Sequence, residues 1–343
     1  IMVNNTIAID AMGGDNAPKS VIAGLAISSL RNPDVEYIVY GDEKKIAPLL
    51  KNRVNLKKVV KVVHVEDWIR ADEKASKSLR RAKTTSMGMA IEAVANGKAG
   101  AIVSAGNSGA LLAMSIFGLR KLSGISRPAL AAVMPTISGE IVALDLGANI
   151  DCSSQNLFDF SIMGVVFAKN VLGKPNPRLA FLNVGEEENK GNTIVQEAAS
   201  LMQNSHFSNY YAGYVEGDKI ISGDFDIVIC DGFSGNVMLK TAEGTAKLCY
   251  AYLKKIFRSS VLGKISFAIG RSSFLGLRKK MDPRKHNGAV LLGLNGIVVK
   301  SHGGADSIGF AHAVDLATDM SARNYNELIK KELIRINTSL EKK

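Results

Sequence analysis

Short β-branched runs alternate with longer amphipathic or alanine-rich runs along the whole chain, and this alternation is the signature of βαβ units. The runs predict strands at Thr6–Asp10, Val35–Tyr40, Val59–Val63, Ala99–Val103, Leu130–Met134, Ile141–Asp145, Leu179–Leu182, Asp226–Cys230 and Ile297–Lys300. Helices are predicted between them, among others at Ala17–Leu30, Thr84–Asn96, Leu157–Val171, Thr193–Met202 and Ser307–Ala322. Ala101-Ile-Val103 and Ile227-Val-Ile229 are apolar without alternation, as strands covered by helices on both faces are. The expected fold is therefore a doubly wound, mostly parallel sheet in an α/β/α sandwich, one unit over residues 2–343.

Open α/β sheets bind ligands outside the carboxyl ends of their strands. Four such positions here are polar and glycine-rich: Asp10-Ala-Met-Gly-Gly-Asp15, Ser104-Ala-Gly-Asn-Ser-Gly109, Asp231-Gly-Phe-Ser-Gly-Asn236 and Ser301-His-Gly-Gly-Ala-Asp306. Together at one sheet edge they would form a single site. Glycine-rich turns that open helices present free N–H groups and the positive end of the helix dipole, which favours phosphate-like anions. The plainer reading of each loop is a tight turn with a helix cap. The first loop lacks G-x-G-x-x-G spacing, and no Walker A sequence is present. Ser108 is off the G-x-S-x-G pattern, so it reads as a cap or phosphate donor rather than a nucleophile. His302 reads either as a general acid or as a turn residue. Cys152, Cys230 and Cys249 have no C-x-x-C spacing and read as reduced structural thiols, and neither a metal nor a cofactor is expected.

Charge is localised. Of the formal net +11, residues 250–285 carry ten Lys or Arg and one acid, Asp282, a net of +9. Such a segment predicts an anionic partner: a phospholipid surface, an acidic protein or nucleic acid. Leu253, Ile256, Phe257, Val261 and Ile265 recur at helical spacing, and a second apolar set follows at Phe267, Ile269, Phe274, Leu275 and Leu277. A basic amphipathic helical segment within 250–285 follows, either lying on anionic lipid or pairing two subunits. Aromatic residues are not interleaved with its cations in a nucleic-acid motif. No signal peptide and no 18-residue apolar run is seen, so a cytoplasmic, peripherally membrane-associated protein is expected. A second basic run, Lys74, Lys77, Arg80, Arg81 and Lys83, precedes a predicted helix, and Lys190 is the cation of the loop Asn183–Asn192.

Taken in order, Ile9–Asp15, Ser104–Gly109, Asn183-Val-Gly-Glu186 with Lys190-Gly-Asn192, Asp231–Asn236 and His302–Asp306 resemble the PlsX family of bacterial phosphate acyltransferases, from near residue 6 to about residue 320. The resemblance implies transfer of a long-chain acyl group from acyl carrier protein to inorganic phosphate, giving acyl phosphate for phospholipid synthesis. It also implies a fold akin to phosphotransacetylases and isocitrate or isopropylmalate dehydrogenases, a homodimer and peripheral membrane attachment. Residue chemistry at the matching positions suggests roles. Asp231, Asn236, Lys190 and His302 are expected to be catalytic: Asn236 at the oxyanion, Lys190 neutralising charge, Asp231 orienting polar partners, His302 holding phosphate or protonating the thiolate. Asp10, Gly13, Gly14, Asn107, Ser108, Gly109, Lys240 and Asp306 are expected to bind phosphate or substrate. Arg80, Arg81 and Lys83 are expected to dock the acidic carrier protein, and Phe257, Leu262, Phe267 and Phe274 to meet the membrane. With no activated nucleophile, direct attack by phosphate is expected instead of an acyl-enzyme. A coenzyme A-dependent phosphotransacetylase is the rival enzyme, and a nucleic-acid-binding protein the rival of another class.

Overall fold

A computed structural model describes residues 5–272, 276 and 282–340. Eleven strands make one sheet: β1 (Thr6–Asp10), β2 (Glu36–Gly41), β3 (Val60–His64), β4 (Ala101–Ser104), β5 (Ala129–Pro135), β6 (Glu140–Leu144), β7 (Leu179–Leu182), β8 (Tyr211–Val215), β9 (Ile227–Ile229), β10 (Ala289–Leu292) and β11 (Ile297–Lys300). Their spatial order is β3-β2-β1-β4-β11-β10-β5-β6-β9-β7-β8. The nine predicted strands are all present. β8 and β10 were not predicted.

Twelve α-helices are described: α1 (Lys19–Arg31), α2 (Glu43–Lys51), α3 (Val54–Lys57), α4 (Ala75–Arg80), α5 (Ser86–Ala95), α6 (Ser108–Leu119), α7 (Ser154–Val171), α8 (Thr193–Gln203), α9 (Gly232–Ser259), α10 (Val261–Ile269), α11 (Ser307–Ala322) and α12 (Tyr325–Leu340). The alternation of side chains along a strand sorts the core into layers. Ile7 and Ile9, Ala101 and Val103, Val142 and Leu144, and Ile227 and Ile229 face one continuous core with residues of α1, α7, α8, α11 and α12. Ala8 and Ile102 face the opposite side, under α5 and α6. Ile141, Ala143, Ala180 and Val228 face a separate cluster that receives Met238 and Leu239 of α9. The result is a helix–sheet–helix sandwich.

The sheet is two parallel blocks. β3, β2, β1, β4 and β11 run together, as do β6, β9, β7 and β8. Between them β11–β10, β10–β5 and β5–β6 are all antiparallel. Three reversals are an odd number, so the blocks point in opposite directions. This corrects the expectation that all four glycine-rich loops share a sheet edge: the loops after β1, β4 and β11 lie at one edge, and those after β6, β7 and β9 at the other.

Candidate functional site

At the first edge Asp10 closes β1 and is buried. Its carboxylate accepts from Ser86 Oγ and Ser104 Oγ, each at 2.7 Å, and from the Met12 N–H at 3.2 Å. Burial pushes the Asp10 carboxyl above its ordinary value even though these bonds pull the other way. Ser104 Oγ accepts in turn from the Gly106 N–H at 3.0 Å. Gly13 permits this closeness: a Cβ there would lie 2.6 Å from both Asp10 Oδ2 and Gly106 N. The Asp15 N–H donates to Gly303 O at 2.9 Å, stitching the β1 loop to the β11 loop, and Gly14 between them takes a left-handed φ of 103°.

The remaining predicted residues of this edge hold structure as well. Asn107 caps α6, accepting from the Ala110 N–H at 2.9 Å, while its amide donates to Ala71 O and Glu73 O at 2.7 and 3.0 Å. Ser108 and Gly109 are exposed at the opening of that helix. Asp306 caps α11 through the Gly309 N–H and takes Arg284 Nη1 at 3.0 Å. Burial raises its carboxyl, but the Gly309 bond and the Arg284 charge outweigh burial and leave it below the ordinary carboxylate range. His302 uses Nδ1 to accept the Gly304 N–H at 3.1 Å, which makes it a turn residue whose Nε2 carries the proton of the neutral ring.

Lys300, the last residue of β11, was missed by sequence reasoning. Its ammonium donates to Ala105 O at 3.4 Å and to Ser301 O, joining the loops after β4 and β11. Burial lowers its pKa from 10.5 to about 8; the carboxylates of Asp10 and Asp15 oppose this and the Lys240 charge adds to it. A lysine ending the otherwise apolar run Ile297-Val-Val was the available signal.

The second edge repeats the device with other donors. Asp145, directly after β6, is buried and accepts from the N–H groups of Leu130, Gly147, Ala148 and Asn149 and from Asn149 Nδ2, at 2.7 to 3.3 Å. Burial raises its pKa against those bonds. Asp231 caps α9, accepting from the Ser234 N–H at 2.8 Å and Ser234 Oγ at 2.9 Å. That helix starts hard against the Asp145 loop, for a Cβ on Gly235 would collide with Asp145 O. Asn236 is exposed and lies over Gly147, whose Cβ would meet it at 3.4 Å. Lys190 is exposed in the loop after β7, its carbonyl oxygen held by Asn183 Nδ2 and Gln196 Nε2. A cavity of about 340 Å³ near α4 is lined by Arg70, Asp72, Glu73, Lys74 and Lys77, and one of about 540 Å³ at the second edge is lined by residues including Arg127, Cys152, Asn156 and Glu197. Burial raises Cys152 to about 11 and Cys230 well above its ordinary value, so both thiols are protonated at neutral pH.

α9 relates the two edges. It begins at the Asp145 loop, and Lys240, one turn beyond Asn236 on the same helix face, is ion-paired to Glu243 Oε2 at 2.9 Å, while its charge helps to depress Lys300. The predicted residues thus form two groups: Asp10, Gly13, Gly14, Asn107, Ser108, Gly109, His302 and Asp306 at one edge, and Lys190, Asp231 and Asn236, with Lys240 farther along α9, at the other.

Of the predicted docking cations, Arg80 and Lys83 are exposed, whereas Arg81 is committed to Asp67 and Glu73. Beyond Met238 and Leu239, α9 leaves the body. Its 28 residues span about 42 Å, and Leu248, Tyr252 and Ile256 along it are exposed. α10 follows at a break at Ser260, with Phe257 and Phe267 rings 5.6 Å apart and Leu262 76% exposed. Phe274 lies outside the described residues. No helix among the described residues is long and apolar enough to cross a membrane, and no group of three His, Cys, Asp or Glu side chains is placed to hold a metal.

The fold is that of an α/β enzyme, and its relatives set it in the acyl-transferring class. Its fold is similar to that of a phosphotransacetylase from Staphylococcus aureus (TM-score 0.58, 19% identity, 94% of each chain) and of a branched-chain phosphotransacylase from Enterococcus faecalis (TM-score 0.57, 15% identity, 92% of this chain and 98% of that one). The family described as "Fatty acid synthesis protein" matches residues 5–328. "Phosphate acyltransferase" proteins of Rhodospirillum centenum and Paramagnetospirillum magneticum are 48% and 47% identical, over 98% and 96% of this chain and 94% of each relative. The chain belongs to this phosphate acyltransferase (PlsX) family.

Proposed function

We propose that the protein moves a long-chain fatty acyl group from acyl carrier protein to inorganic phosphate, releasing acyl phosphate for phospholipid synthesis. The observation that carries this reading is the near full-length identity to phosphate acyltransferases. A phosphate oxygen attacks the thioester carbonyl, the C–O bond forms, and the tetrahedral oxyanion collapses with loss of the C–S bond. Phosphate is already anionic at neutral pH, so it needs orientation more than deprotonation. Asn236 and Lys190, exposed at neighbouring loops of one edge, supply an amide donor and a cation to the oxyanion. His302, with its proton on Nε2, hydrogen-bonds phosphate or protonates the leaving thiolate. Asp10, Asp231 and Asn107 position loops and helices, while Gly13, Gly14, Ser108, Gly109 and Lys240 receive the phosphate. The protonated thiols favour direct displacement over an acyl-cysteine.

The same reading makes the protein a cytoplasmic homodimer with a fold of isocitrate dehydrogenase type, and Arg80 and Lys83 docking points for the acidic carrier. The exposed apolar residues Leu262 and Phe267 beside Lys254, Lys255, Arg258 and Lys264 suit an anionic membrane surface, with no role for nucleic acid. Incubation with palmitoyl-carrier protein and labelled phosphate tests the reaction. Labelled acyl phosphate is expected; turnover of palmitoyl-coenzyme A alone would favour the phosphotransacetylase alternative.

A further inference from the structure

The cavity of about 540 Å³ at the second edge opens between the first turns of α7 and α8, and its volume is that of a small-molecule site. Part of its polar lining is committed to the fold. Ser126 Oγ donates to Asp159 and accepts from Asn156 Nδ2 at 2.6 Å, while Ser153 and Asn156 close the capping box of α7. Arg127 is not so committed. Among the described residues its one hydrogen bond runs from Nη1 to Asp151 O at 2.9 Å and no carboxylate pairs with it, which leaves most donors of the guanidinium fork open. The side chains of Ser154 and Glu197 make no hydrogen bond or ion pair among the described residues, and Ile194 adds an apolar wall. A simple anion such as inorganic phosphate would use Arg127 and be repelled by Glu197. A ligand that uses every wall carries an anionic group, amide N–H donors and apolar carbon together, as a phosphopantetheine arm does. The cavity also adjoins the residues assigned to the oxyanion. Cys152 Sγ, in its wall, donates to Asn149 O at 3.7 Å, and the same carbonyl accepts from the N–H of Gly232, the first residue of α9, at 2.7 Å. Asn236 follows one turn along that helix, flanked by the exposed apolar side chains of Phe233 and Val237. On the α8 side, Gln196 Nε2 donates to Lys190 O at 3.1 Å.

We propose that this cavity binds the phosphopantetheine arm of the acyl donor, its phosphate on Arg127 and an amide N–H on Glu197, so that the thioester is presented towards Asn236 and Lys190. This rests on the donor being an acyl thioester of acyl carrier protein. Coenzyme A carries the same arm, and the site reads the arm rather than what bears it.

Calorimetric titration of the full-length protein with phosphopantetheine, and with pantetheine, which lacks the phosphate, tests the inference without turnover. Phosphopantetheine should bind at least about tenfold more tightly, and Arg127→Gln, which loses the charged hydrogen bond, should abolish that preference. Ile194→Trp, which fills the cavity, should weaken both ligands. Wild-type protein without a preference for phosphopantetheine overturns the proposal, as does a folded Arg127→Gln that keeps one. If Arg127→Gln does not fold, wild-type affinity for phosphopantetheine in Ile194→Trp overturns it instead. Titration with holo-carrier protein and with coenzyme A separates the two bearers of the arm. Arg127→Gln should weaken the carrier protein; a loss for coenzyme A alone would support the cavity and transfer it to the phosphotransacetylase alternative. Acyl phosphate formation with Arg127-independent binding of the arm would sink this site and leave the reaction standing. Arg127-dependent binding without acyl phosphate formation would do the reverse.

Discussion

Asp10 and Asp145 stand at equivalent places, each a buried carboxylate at the end of a parallel strand, each gathering the loops around it. They differ in what they gather. Asp10 is held by two serine hydroxyls, which can turn to other acceptors, and its charge acts on the half-buried Lys300. Asp145 is held chiefly by main-chain N–H groups, which cannot turn. The contrast teaches that one device can serve two ends: fixed backbone donors make a rigid platform for α9 at the second edge, while the first edge keeps donors that can adjust.

The largest expected effect separates chemistry from scaffold. Asn236→Ala, at an exposed position, should lower turnover by at least about 10²-fold with little change in melting temperature; near-wild-type turnover would move the oxyanion contact off α9. Next come the two carboxylates. At about 1–3 kcal/mol for each buried donor left unsatisfied, Asp145→Ala should destabilise more than Asp10→Ala in urea unfolding, and equal losses would erase the distinction between rigid and adjustable donors. For Asp231, the cap predicts that Asp231→Ala costs about 0.5–2 kcal/mol while Asp231→Asn, which keeps an acceptor for the Ser234 N–H, retains most stability and activity. Loss of activity in both at unchanged stability would restore a catalytic carboxylate. A smaller effect is the pH dependence of stability. Lys300 titrates at about 8 folded and at 10.5 unfolded, so between those values the unfolded chain binds more protons and stability rises with pH. Lys300→Met should remove that rise. The smallest effect is electrostatic docking: reversing Arg80 and Lys83 should raise the KM for acyl-carrier protein at low salt and leave it unchanged at high salt.

Strand existence was legible because apolar β-branched runs such as Ile227-Val-Ile229 leave few alternatives. Strand direction was not, since a run reads the same whichever way its strand points. The reversal depends on β10, Ala289-Val-Leu-Leu292, a short run with one β-branched residue whose partners β5 and β11 lie on either side of it in space. β8 was hidden by Gly213, which breaks the run with a φ of 103°. At the site, Asp10, Asn107, Asp231 and Asp306 were visible as polar loop residues, but capping and binding use the same residue types after a strand. Only the hydrogen-bond partners that each side chain finds in the fold separate the two. Asp145 was assigned to a strand end and Lys300 likewise, because burial of a charge is a property of the packed loops around it.

The order in which the sheet is completed has a consequence for synthesis. β4, paired with β1 on one side, gains its second neighbour only when residues 297–300 exist, and β5, paired with β6, waits for residues 289–292 for its own. Until the ribosome has passed these positions, two hydrophobic strands from the middle of the final sheet stand as open edges, the form of strand most prone to pair with a neighbouring nascent chain. Lys300, which ends the last of the described strands to be made, therefore joins the loops of the first edge in the same step that closes the sheet.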